Sequence, residues 1–212
     1  MSVNYYWILC YLAPEDENEL RSIYQSDYQK AIQKNDKHRS ILEKWHKDPD
    51  FLSDYYDRNY NNNLNEFIQA FKAPSFQDLK KEIMSNLSSP ERKTNFELNE
   101  ANCFKVIVFT NCDPVNVLWY GLGPELADRI PGFMGNIFLS RNEIEPALKT
   151  VTEILDRLDR QKFYERMPSV YVGVASCEEI ETDIENILTA LAIGLESAKE
   201  KKCGFLALSC SL

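Results

Sequence analysis

One stretch decides the fold: residues 104–158, FKVIVFTNCDPVNVLWYGLGPELADRIPGFMGNIFLSRNEIEPALKTVTEILDRL. It contains four of the seven glycines of the chain. Its β-branched and aromatic start is typical of a strand buried in a sheet. Ser140 and Glu143 have the spacing of a capping box, and apolar residues at helical spacing follow them. The stretch therefore predicts a strand, a Gly/Pro-rich loop, a short strand and a capped helix in one continuous unit.

Working outward, apolar runs predict strands at both ends of the chain as well. The expected strands are residues 3–12, 104–110, 137–139, 170–174 and 204–212, with helical spacing between them. This order predicts an α/β (α+β) fold, a mixed sheet of about five strands with helices packed on its faces. At 212 residues we expect a single domain, residues 1–212. Its N-terminal half, about 1–102, is helix-rich, and strands and helices share the second half, about 103–212.

Helix ends carry their own signals. Pro146 lies inside the predicted helix after Ser140, so this helix begins or bends near the proline. Ser176 and Glu179 form a second capping box before a long apolar stripe. Three lysines followed by a glycine predict the end of that last helix: Lys199, Lys201, Lys202 and Gly204.

Charge and composition exclude several partners. The chain has 33 acidic and 24 basic residues, a net charge of −9, which would repel the phosphates of a nucleic acid. The first apolar run is too short to cross a membrane, and no basic residue precedes it as in a signal peptide. Six cysteines without a CxxC pair predict free thiols, no metal site and a cytoplasmic location.

No familiar catalytic or cofactor motif is present. The two histidines, His38 and His46, are expected to be solvated rather than metal ligands. There is no HExxH, GxSxG or Walker sequence. Gly121 and Gly123 resemble the start of a dinucleotide fingerprint, but Leu126 stands where its third glycine belongs. We therefore expect no cofactor and assign no catalytic residue.

The loop at 111–141 is the best candidate for a binding site. It combines an aromatic residue with donors and acceptors after a strand, where ligands commonly bind. The candidate residues are Asn111, Asp113, Trp119, Tyr120, Arg129, Asn136 and Arg141. In the competing interpretation, which the residue types favour, the glycines form turns and Trp119 fills the core. Arg129 then only pairs with Asp128 and Glu125 on a helix surface.

Carboxylates crowd two predicted helix starts, residues 15–19 and 178–185. The general explanation is complementarity to the helix dipole on a solvated face. A second explanation is a negative surface that binds a basic protein, as immunity proteins bind basic nuclease toxins.

The C-terminal third resembles a known family. The order FLSRNEIEPALKTVTEILDRL, KFYERMPSVYVG, a long helix and GFLALSCSL, over residues 136–212, is similar to the YfbM-like family of bacterial proteins. Arg141 departs from the proline that the family usually shows after the helix cap. The resemblance implies a cytoplasmic α/β domain without an established activity, and it supplies no catalytic residues.

Together these features predict a non-catalytic interaction protein of the cytoplasm, immunity-like, that binds a basic protein. Two alternatives remain at this stage. One is an enzyme acting through Asp113, Tyr120, Arg129 or Arg141 by acid or base chemistry. The other is a small-ligand sensor, with a pocket near the 111–141 loop or among the aromatic residues of the N-terminal half.

Overall fold

A computed structural model describes residues 4–22, 40, 43–44, 46–48, 96, 98–110, 114–132, 135–166 and 177–211. Within these ranges the strands are β1 (Asn4–Leu12), β2 (Cys103–Thr110), β3 (Ile137–Leu139) and β4 (Gly204–Ser211). The helices are α1 (Pro14–Leu20), α2 (Pro114–Ala127), α3 (Ile144–Arg157), α4 (Arg160–Arg166) and α5 (Cys177–Lys201). The mixture of helices and strands confirms the α+β class.

The sheet has the strand order β2-β1-β4-β3, and all three pairings are antiparallel. The expected mixed sheet of about five strands was therefore wrong for the described part of the chain, which forms four antiparallel strands. The fifth expected strand, residues 170–174, lies outside the described residues. A strand that is covered on both faces reads as a continuous apolar run whichever way its neighbours point. The apolar runs therefore predicted strands without predicting their directions.

The core lies against the two central strands. Consecutive residues of β1 from Trp7 to Leu12 are buried, and so are those of β4 from Gly204 to Ser209. Trp7 is fully buried, and its indole Nε1 donates a hydrogen bond to the Gly135 carbonyl at 2.7 Å. Because a buried indole N–H needs an acceptor, this bond ties the start of β1 to the turn before β3.

The central part of the expected 111–141 loop is a helix. Residues 114–127 form α2, with a break at Gly123, where φ is 75° and ψ is 168°. A positive φ is accessible to glycine without a steric cost, and Pro124 then opens the second helical part with its preset φ. The Gly/Pro content that suggested a loop instead marks a kink inside a helix.

The capping prediction for α3 is correct in part: Ser140 and Glu143 contact each other, but the N-cap residue is Glu143 and it forms no side-chain cap bond. The Glu143 carboxylate accepts hydrogen bonds from the Ser140 N–H at 2.8 Å and from the Ser140 hydroxyl at 2.6 Å. The helix begins at Ile144, which places Pro146 in the first turn. An N–H in the first turn has no partner within the helix, so the proline costs no backbone bond there.

Helix α5 ends at Lys201, within the segment where its end was predicted. The residue with a left-handed backbone is Lys202, at φ 55°, and not Gly204. The Cys203 N–H bonds the Ala198 carbonyl and the Lys202 N–H bonds the Lys199 carbonyl, each at 3.1 Å, as in a Schellman motif. Gly204 begins β4, as predicted, and a Cβ there would lie 2.8 Å from the Leu139 carbonyl oxygen.

Lys202→Gly is expected to stabilise the protein by about 0.5–1 kcal/mol, because glycine removes the left-handed strain of a side-chain-bearing residue. Glu200→Gly, two residues earlier in the exposed helical turn, is the matched control and should destabilise the fold by a similar amount. Urea unfolding followed by far-UV circular dichroism measures both. A loss of stability in Lys202→Gly would contradict the assigned cap.

Candidate functional site

Helix α1 presents three carboxylates around a buried fourth. Ala13 caps the helix in an extended conformation, and Pro14 occupies the first helical position. Glu15 is exposed, Asp16 and Glu19 are half-buried, and Glu17 is 9% exposed. We call Glu15, Asp16 and Glu19 the α1 acidic cluster. The helix thus directs one acidic residue inward and three toward its surface.

Glu17 fastens α1 to the turn before α3. Its Oε2 accepts the Arg141 backbone N–H at 3.1 Å, and its Oε1 lies 3.4 Å from Nη2 of Arg21. The same Arg21 nitrogen lies 3.6 Å from Oε2 of Glu143. Arg21 therefore bridges two carboxylates that belong to different helices. This network holds the α1 acidic cluster in one position on the surface.

The cluster is crowded enough to affect ionisation. Partial burial raises the pKa of Asp16, and repulsion by the carboxylates of Glu15 and Glu19 adds to the effect. A hydrogen bond from the Ala13 backbone N–H opposes the rise in pKa. That bond reaches back from the third helical residue to the cap, as the acidic residue of a capping box does. The start of α1 therefore carries more carboxylates than the single one that caps the helix.

The structure places the residues of the 111–141 candidate site in different surroundings. Asn111 and Asp113 lie outside the described residues, and Tyr120 lies within α2. Trp119 is 5% exposed and belongs to the hydrophobic core, as the structural interpretation predicted. Asn136 is buried, and its Oδ1 accepts the Ser209 backbone N–H at 3.4 Å. Trp119 and Asn136 therefore support packing and the sheet.

The two candidate arginines are not brought together. Nη2 of Arg129 lies 2.5 Å from Oε2 of Glu153, in the third turn of α3. Arg141 precedes α3 and is exposed. They therefore lie toward opposite ends of that helix.

The expected surface pairing of Arg129 with Asp128 and Glu125 is replaced by its bond to α3. Asp128 instead lies 2.7 Å from Nε2 of His46, so this histidine is paired rather than merely solvated. His46 and Asp128 are 82 positions apart in the sequence. Short-range sequence patterns therefore could not predict this contact. His38 lies outside the described residues.

A small cavity of about 30 Å³ lies where four helices meet. Its lining comes from α2, the α3–α4 segment and α5, and consists of Leu118, Leu155, Leu158, Arg160, Phe163, Leu188 and Thr189. Ligand pockets usually measure about 300–1,000 Å³, so this cavity is too small for an organic ligand. It has room for about one or two water molecules.

Within the described residues, no group of three His, Cys, Asp or Glu side chains is arranged to hold a metal ion. In the same part of the chain, no helix combines the length and the apolar character needed to cross a membrane.

Comparison with family models, curated proteins and solved structures found no match for this chain. The resemblance of residues 136–212 to the YfbM-like family therefore stays a prediction.

Sequence reasoning missed the separate role of Glu17. It grouped all carboxylates of residues 15–19 on one solvated face. Helical spacing could have singled out Glu17, because Leu20 three residues later lies on the same face and is fully buried. An acidic residue on an apolar face indicates a specific partner, since a buried charge needs one. The partner, the Arg141 N–H, lies 124 positions away.

Glu17→Ala is expected to destabilise the protein by about 2 kcal/mol, because a hydrogen bond to a charged acceptor is lost at a buried position. Glu15→Ala, an exposed neighbour, is the matched control and should change the free energy of unfolding by less than about 0.5 kcal/mol. Urea midpoints of both variants measure the difference. Equal effects would show that the Glu17 anchor contributes nothing specific.

Asp16→Asn is expected to stabilise the fold at about pH 7. A carboxyl whose pKa is raised by folding loses stability as the pH rises through that pKa, and asparagine removes this loss while still accepting the Ala13 N–H. The gain is small, about 0.5 kcal/mol at most, because solvent screens the half-buried group. It should vanish near about pH 3, where Asp16 is protonated in both states.

Thermal unfolding at the two pH values tests this expectation. Glu125→Gln removes an exposed carboxylate of α2 and should give no gain at either pH. A gain in Asp16→Asn that persists unchanged at low pH would contradict the role of charge repulsion.

Proposed function

We propose that this chain is a non-catalytic interaction protein that binds a basic protein partner through the α1 acidic cluster. The observation that carries the proposal is the concentration of Glu15, Asp16 and Glu19 on one short helix, fixed in place by Glu17. A rigid charged surface loses little entropy when it docks, so its electrostatic attraction is retained in the complex. The proposed location is the cytoplasm, and the proposed role is immunity-like.

Long-range charge supports the choice of partner. The net charge of −9 attracts a basic protein over about one Debye length and speeds its association. The same charge disfavours nucleic acid as a partner. The α1 acidic cluster then determines where the basic partner docks. Arg21 is engaged by Glu17 and Glu143, so it does not compensate the cluster freely.

The Glu15→Gln/Asp16→Asn/Glu19→Gln variant tests the proposal by affinity purification from the native host. We expect a basic protein to co-purify stoichiometrically with the wild type and about tenfold less with the variant. Three charges at the solvent-accessible surface, at about 0.5 kcal/mol each, account for this factor. The complex should dissociate as NaCl rises from about 0.05 to 0.5 M, because salt screens the attraction.

Glu125→Gln/Asp156→Asn/Glu200→Gln is the matched control. It removes three exposed carboxylates from α2, α3 and α5 and therefore causes the same change in net charge. It should retain the partner, and circular dichroism should show that both variants fold. Equal loss in both variants, an acidic partner, or no stoichiometric protein would each overturn the proposal.

A further inference from the structure

Two cysteines that are far apart in sequence face each other in the sheet. Cys10 of β1 and Cys103 of β2 are Cα partners in an antiparallel pair. Just beyond them the Tyr11 N–H donates to the Asn102 carbonyl at 2.8 Å. Hydrogen-bonded and non-hydrogen-bonded pairs alternate along antiparallel strands, so the two cysteines form a non-hydrogen-bonded pair. The Cα atoms of such a pair typically lie about 4.5 Å apart. A disulfide needs Cα atoms about 4.4–6.8 Å apart, so the backbone arrangement suits one.

A bulge in β2 creates this juxtaposition. Leu9 pairs with Lys105, but the next pair is Cys10 with Cys103, so Phe104 is the extra residue. With regular pairing, Cys103 would lie opposite Tyr11 and point to the other face of the sheet. Phe104 packs instead against the Tyr11 ring, with the ring centroids 5.6 Å apart. The irregular register therefore places the two thiols on one face.

The two thiols have different surroundings. Cys10 is 1% exposed, whereas Cys103 is half-buried and accessible to a small reagent. A hydrogen bond from the Cys10 thiol lowers the pKa of Cys103 to about 7, against the opposing effect of burial. The same bond, together with burial, raises the pKa of Cys10. Burial also raises the pKa of Cys203. Cys103 is thus more reactive than Cys10 and Cys203, because the thiolate is the nucleophile.

We propose that Cys10 and Cys103 form a redox modification site, at which a hydroperoxide oxidises Cys103 and Cys10 converts the product to a disulfide. In the first step the Cys103 thiolate attacks a peroxide oxygen, the O–O bond breaks, and the sulfur becomes a sulfenic acid. Sulfur loses two electrons, and the departing oxygen leaves as water or alcohol after taking a proton.

In the second step the Cys10 sulfur attacks the Cys103 sulfur. The S–O bond breaks, hydroxide leaves, and the Cys10 proton completes a water molecule. With hydrogen peroxide, two thiols give one disulfide and two waters. The cross-link joins the start of β2 to the end of β1 and closes the long segment between them. Oxidation should therefore raise the melting temperature, because a closed loop restricts the unfolded chain.

Peptide mapping of the reduced full chain after treatment with one equivalent of hydrogen peroxide tests the site. We expect a Cys10–Cys103 disulfide that dithiothreitol reverses, and the same product in the Cys203→Ser control. Cys103→Ser should leave Cys10 unreacted, because its thiol is buried. A different disulfide, or oxidation of the other cysteines before Cys103, would overturn the proposal.

Alkylation by iodoacetamide tests the proposed division of roles. In the wild type, Cys103 should react at least about tenfold faster than Cys203 at about pH 7, with a half-maximal rate near that pH. In Cys10→Ala the midpoint should move upward, and peroxide should leave a sulfenic acid on Cys103 that dimedone traps. Equal rates for Cys103 and Cys203 in the wild type would contradict the assignment even if Cys10→Ala does not fold.

Discussion

The pairing of β1 with β4 is the interaction on which the rest of the described structure depends. Eight residue pairs join Tyr5–Leu12 to Gly204–Ser211, so strands from near the two ends of the chain lie together in the middle of the sheet. Their buried side chains supply much of the core, and β2 and β3 add to their outer edges. Burial on both faces makes this pairing a major source of stability, since apolar area removed from water drives folding.

The antiparallel register also explains why Glu17 of α1 lies close to the Arg141 N–H. Leu12 pairs with Gly204, and Leu139 pairs with Phe205, so the end of β1, the start of β4 and the end of β3 meet at one end of the sheet. Helix α1 leaves the sheet at this end, and α3 begins nearby. The contact between Glu17 and the Arg141 N–H follows from this meeting. Gly204 has no side chain and so leaves room for the Glu17 carboxylate, because a Cβ there would lie 3.2 Å from Oε2 of Glu17.

The two proposed sites both lie near the end of β1 and rely on different chemistry. The α1 acidic cluster acts through exposed charge, and its position is set by Glu17. The thiol pair acts through a half-buried nucleophile, and its position is set by the bulge at Phe104. Neither site lies in the 111–141 segment that seemed most suitable from sequence. There, Trp119 and Asn136 serve packing and Arg129 is bound by Glu153.

Much of the fold could be predicted from local patterns. Apolar runs located the four described strands to within about two residues, and Ser140 with Glu143 located the turn that leads into α3. Local patterns failed where one residue type suits two structures. Gly123 and Pro124 favour a loop, yet they also permit a kink inside a helix. Lys202 adopts the left-handed conformation expected of a glycine, whereas Gly204 allows the close approach of the Leu139 carbonyl.

The amino-acid sequence by itself determined the class of fold, the negative charge, the starts of α1 and α5 and the apolar strands, because these depend on residue types and short spacings. Only the tertiary structure decided strand direction, the burial of Glu17, the pairing of His46 with Asp128 and the meeting of Cys10 with Cys103. Each of these depends on residues that are distant in the chain. The folded sheet brings them together, and one inserted residue in β2 is enough to change which side chains meet.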